Sequence, residues 1–250
     1  MDSNPSSGGE KPATMARGAA EGALAGVALY WIPLGAGGAG FVRLNGRIYE
    51  AITARREHRR SLVLYHAALE VHIPEGGYVI EMTPIPGHHP DSRGVVVEGP
   101  VGARWLSGLR VFRYEVRRWR SGVIPDVDEA VASPQWLSDD PERARRLLEL
   151  VAMVPALVWG RDQVGVGDMW NSNSLISWLL ARTGLPAERV RPPTGGRAPG
   201  WRAGIIMAHR HRLAEERPSE IFGLAGKVGC STASNHAGSR TNPSVAGRLG

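Results

Sequence analysis

The chain has 250 residues, a formal net charge of +6 and 42% hydrophobic residues, enough for one large or two small domains with a real core. Only Lys11 and Lys227 of the 30 basic residues are lysine. The mid-chain arginines alternate with acids and no aromatics stack between them, which excludes nucleic acid as the expected partner. Cys230 is the single cysteine. It rules out an internal disulfide and a four-cysteine zinc site, and it fits a reducing, cytoplasmic setting.

The ends separate from the middle. Residues 1–17 are rich in Ser, Pro and Gly without apolar period, and are predicted to be disordered. The pattern fades again from His209, so 209–250 reads as a low-complexity, disordered tail and 18–208 as a single α+β domain. Gly22 to Val42 carries no charge and is long enough to cross a bilayer. It is the candidate segment for membrane contact, although Pro33 and repeated glycines interrupt it. Its soluble reading is a buried strand over Val27–Leu34 followed by a glycine-rich turn.

Next along the chain, Phe41–Tyr49 reads as a hairpin, because Asn45-Gly46 suits a type I′ turn. That hairpin also disposes of Gly35–Gly40, a G-x-G-x-x-G match that would need a helix after it to bind a dinucleotide. Tyr65 to Ile73 alternates: Tyr65, Ala67, Leu69, Val71 and Ile73 face one way, His66, Ala68, Glu70 and His72 the other. Pro74–Gly77 then turns the chain into a strand over Tyr78–Thr83. Further strands are expected at Gly94–Glu98, Val111–Arg117 and Gly204–Ala208.

Two helices carry clear signals. Asp139-Asp140-Pro141-Glu142 starts one, with an acidic cap and proline in the first turn. The other begins near Ser172 and stops at Arg182-Thr183-Gly184, with Pro186 beyond. Strands in hairpins beside a few helices predict α+β: an antiparallel sheet of hairpins packed with a few helices. No metal site is expected from His66, His72, His88, His89 and Asp91. They lack helical pair spacing, and six residues along a strand separate the first two by about 20 Å.

His66 on a strand and Ser174 at a helix start are the candidate chemical groups. A histidine can take the hydroxyl proton, and the amides of the helix end can stabilise an oxyanion. Asn171, Ser172, Asn173 and Ser174 are equally favoured as helix caps, which is the structural alternative.

Tyr65–Val71, a hairpin, and Tyr78–Met82 resemble the histidine hairpin of the circularly permuted papain-like family, which includes the lecithin:retinol acyltransferase-like proteins. Asn173-Ser174 followed by Leu175–Leu180 is similar to that family's later Asn-Cys motif, with serine in place of cysteine. The resemblance implies permuted papain-like topology and amide or ester hydrolysis or acyl transfer. Ser174 would be the nucleophile, His66 the base, Glu81 the third group, and Asn171 and Asn173 polar support of the cleft. It implies no cofactor and a small-molecule, peptide or lipid acyl substrate. A four-residue hairpin loop, however, sets Glu81 opposite Glu70, about 13 Å along from His66. Two other readings stand beside it: a non-catalytic binding or scaffold domain of the same fold, and a membrane-anchored accessory protein.

Overall fold

The computed structural model describes residues 25–35, 50, 53–84, 94–109 and 112–225. The predicted hairpin at Phe41–Tyr49, the glycine run after Gly35, the His88–Asp91 turn and the stretches 1–17 and 226–250 lie outside the described residues.

Among the described residues seven strands form one sheet: β1 (Gly26–Pro33), β2 (Val63–Ile73), β3 (Gly76–Pro84), β4 (Val95–Pro100), β5 (Arg113–Arg120), β6 (Gln135–Ser138) and β7 (Gly196–Arg197). The order is β4-β5-β3-β2-β1-β6 with antiparallel neighbours, and the short β7 pairs in parallel with Val63-Leu64 of β2. The helices are α1 (Pro141–Leu150), α2 (Ser172–Arg182) and α3 (Trp201–Ala225), with a helical turn at residues 53–56. The α+β class expected from the sequence is the architecture found. One compact unit spans Met1–Arg212, and Leu213–Gly250 is a second, in which helical backbone reaches Ala225.

β1 explains the uncharged run that raised a membrane. Val27, Ala28, Leu29, Trp31 and Ile32 are all buried, because β1 lies between β2 and β6 and both of its faces are covered. A strand buried on both faces reads as a continuous apolar run instead of an alternating one. No helix among the described residues is long and apolar enough to cross a membrane.

β2 alternates as its sequence does. Tyr65, Ala67, Leu69 and Val71 enter the large core with Leu147 and Leu150 of α1 and Leu175, Trp178 and Leu179 of α2. Each fully buried residue of this size contributes about 1.5–3 kcal/mol relative to exposure. Ala68 instead joins Ile32, Val79 and Ile124 in a small cluster on the opposite face. The hairpin after β2 is tighter than expected. Ile73 pairs with Gly76 and Glu70 with Val79, so Pro74-Glu75 alone makes the turn and β3 is shifted by two residues.

α1 starts as read, with Asp140 accepting from the amides of Glu142 (2.9 Å) and Arg143 (3.3 Å). The strand expected at Gly204–Ala208 is instead part of α3. Its Ile205-Ile206 pair favours β structure locally. The long-range capping of α3 described below overrides that preference.

Candidate functional site

α2 is buried along nearly its whole length, from Ser172 to Ala181. A helix apolar all round sits inside a core, and its polar first turn must then find partners in the protein. Asn171 is the N-cap: its Oδ1 accepts from the amides of Asn173 (2.9 Å) and Ser174 (3.3 Å). Ser174, at the third helical position, answers by accepting from the Asn171 amide at 3.1 Å. This reciprocal pair is a capping box with serine in the position usually held by Glu or Gln.

The hydroxyl of Ser174 is committed further. Its proton is shared between the carbonyls of Gly200 (2.8 Å) and Met169 (3.0 Å), and the residue is 0% exposed. The neighbouring amides converge on the same loop. Asn171 Nδ2 and Asn173 Nδ2 both donate to the Pro199 carbonyl, at 2.9 and 2.8 Å, and Asn173 Nδ2 also reaches the Tyr65 carbonyl of β2 at 3.0 Å. Asn173 Oδ1 is buried without a partner among the described residues, a polar atom this arrangement leaves unused. The Asn-Ser cluster therefore pins three pieces of chain together: the start of α2, strand β2 and the Pro199-Gly200 entry to α3.

Asp168 completes the pin from the other side. Its carboxylate accepts from the amides of Gly200 (2.7 Å), Arg202 (3.2 Å) and Met169 (3.1 Å), so it caps α3 across 32 residues of sequence. Burial pushes its carboxyl above the usual carboxylate range, while these three amides and Arg197 oppose the rise. Packing is close as well. A Cβ on Gly200, whose φ is +92°, would run into the side chains of Asn171 and Ser174, and one on Gly204 into the Ser174 carbonyl and Ser177 Oγ.

His66 lies elsewhere. Its cross-strand partner is Ile32, and regular pairing from Gly26↔His72 to Pro33↔Tyr65 leaves no bulge to turn it. Residues directly opposite share a face, so His66 lies on the side of Ile32, Ala68 and Ile124. The body of α2 packs on the other side, against Tyr65 and Ala67. The sheet thus stands between the imidazole and the helix carrying Ser174. Burial pushes the His66 ring down to about 4, with the charge of Asp126 opposing.

Glu81 joins His66 on that second face. With Ile80 opposite Leu69, it falls at the level of Ala68, two residues or about 7 Å along from His66, closer than the sequence-based register. Its paired residue is Arg117 on β5, at 3.8 Å, and Arg117 also donates to Glu115 at 2.8 and 3.1 Å. Burial raises the Glu81 carboxyl and Arg117 opposes this. No hydrogen bond joins His66 to Glu81 or to Ser174 among the described residues. The structure brings Ser174, Asn171 and Asn173 together, and places His66 and Glu81 on the opposite face of the sheet.

Asp168, Pro199, Gly200 and Gly204 were not singled out by the sequence. Pro-Gly ahead of Trp201 marks a break in the chain, but no capping side chain is local to it, so nothing nearby announces the helix. A groove of about 440 Å³ at the β1–β6 edge, lined by Ala25, Trp136, Leu137, Ser138 and Asp139, holds none of the five predicted site residues. Among the described residues no group of three His, Cys, Asp or Glu is placed to hold a metal ion. Compared with protein-family models, with curated proteins and with solved structures, the chain matches none.

Proposed function

We propose that the protein is a non-catalytic binding or scaffold domain whose Asn-Ser cluster fastens its helices to its sheet. The observation that carries this reading is the state of Ser174 Oγ, which is fully buried, accepts one amide and donates to backbone carbonyls. A serine nucleophile needs a base within hydrogen-bond reach and an exposed path for the acyl group. Here the proton is held by Gly200 and Met169, and the expected base lies across the sheet. The permuted papain-like topology remains part of the proposal. It is supported by the histidine strand preceding the Asn-Ser helix and by helices packed on one face of an antiparallel sheet.

The test is a fluorophosphonate probe on the folded full-length chain, with Ser174→Ala and His66→Ala as comparisons. Absence of labelling in all three is the expected result. Labelling of the wild type that both substitutions abolish would overturn the proposal in favour of a Ser-His hydrolase or acyltransferase.

A further inference from the structure

The turn that leads into β2 is built so that its acids are used internally and its arginines are left outside. Glu50 is buried and takes both Arg59 Nη atoms and the Leu62 amide, the last at 2.9 Å. Arg59 Nε donates to Glu57 at 2.6 Å, and Arg197, next to the β7–β2 pairing, reaches Glu57 at 3.3 Å. Two carboxylates and two guanidiniums therefore cancel while fixing the turn. Arg55, Arg56 and Arg60 are exposed, and their own side chains make no ion pair or hydrogen bond with the described residues. Three positive charges within six residues are thus presented outward on a braced support. Val63, just beyond them, is 51% exposed.

The geometry points to this turn as a docking surface for the negatively charged face of a lipid bilayer. Guanidiniums are attracted to anionic headgroups, and a neighbouring apolar side chain is accepted at the boundary between headgroups and acyl chains. A single-stranded nucleic acid would call for broad aromatic platforms beside the charges, and no residue from 53 to 63 is Phe, Tyr or Trp. The proposal uses no residue of the Ser174 pin, so it stands or falls independently of the reading above.

Sedimentation of the full-length chain with vesicles tests it, using phosphatidylcholine alone and phosphatidylcholine mixed with phosphatidylserine at low and physiological salt. The wild type should bind the mixed vesicles, more weakly as salt rises, and not phosphatidylcholine alone. Combined Arg55→Gln, Arg56→Gln and Arg60→Gln should weaken binding roughly a hundredfold with an unchanged thermal melt, since these side chains hold nothing in place. A charge-matched variant on α1, whose Arg145 pairs with Glu75 at the far end of β2, is Arg143→Gln with Arg145→Gln and Arg146→Gln, and it should bind as the wild type does. No binding to the mixed vesicles, or equal loss in both variants, would overturn the proposal. So would tight binding of a single-stranded RNA that the vesicles do not displace, which would assign the surface to nucleic acid.

Discussion

Ser174 Oγ donates to the carbonyl of Gly200 at 2.8 Å, joining the first turn of α2 to the entry of α3 across 26 residues of chain. The same oxygen closes the capping box on Asn171. One small hydroxyl thus satisfies an amide that helix geometry leaves open and gives the Gly200 carbonyl, which also accepts from the Gly204 amide at 3.3 Å, a second donor.

Replacing it should be costly for stability. Ser174→Ala leaves the Asn171 amide and the Gly200 carbonyl buried with one partner fewer, a loss of about 2 kcal/mol where an exposed cap would lose about 1. Denaturant unfolding of the two proteins measures the difference. A loss no larger than that of an ordinary surface serine would sink the pin.

The glycines opposite Ser174 give a sharper test, because local and tertiary effects have opposite signs. In an isolated helix Gly204→Ala should gain about 1 kcal/mol. Here the added methyl meets the Ser174 carbonyl and Ser177 Oγ, so a net loss is expected, of about 1–3 kcal/mol. Gly200→Ala adds a positive-φ penalty to a clash with the Asn171 side chain and should lose about 3 kcal/mol. A melting temperature raised by Gly204→Ala would show that α2 and α3 do not approach so closely.

His66 should make stability depend on pH in a defined window. Its folded value is pushed down to about 4, from 6.5 when exposed. Between these values the unfolded chain binds a proton that the folded chain refuses. Stability therefore falls as pH drops from about 6.5 towards 4, with a slope of up to about 1.4 kcal/mol per pH unit, and is unaffected by this group above that range. His66→Gln should flatten that part of the profile. Equal slopes in both proteins, measured by urea unfolding at pH 7 and pH 5, would place His66 in water.

The local elements legible in the sequence are those whose signals lie within a few residues. The alternation from Tyr65 to Ile73 gave a strand with the correct two faces, and Asp140-Pro141 and Asn171 mark helix starts that the structure keeps. The two-residue error in the β2–β3 register arose because Pro74–Gly77 permits more than one turn length, and only cross-strand packing chooses between them. The helix at Trp201 was hidden because its capping carboxylate is Asp168, far upstream, while Ile205-Ile206 favour a strand. The two roles open to Ser174 look identical in sequence, since nucleophile and cap both call for a small hydroxyl at a helix start. Tertiary structure decided which partners surround it: carbonyls of Gly200 and Met169 on its own side of the sheet, with His66 on the other. Strand alternation assigns the two faces of β2. Only the packing of α2 fixes which face Ser174 meets.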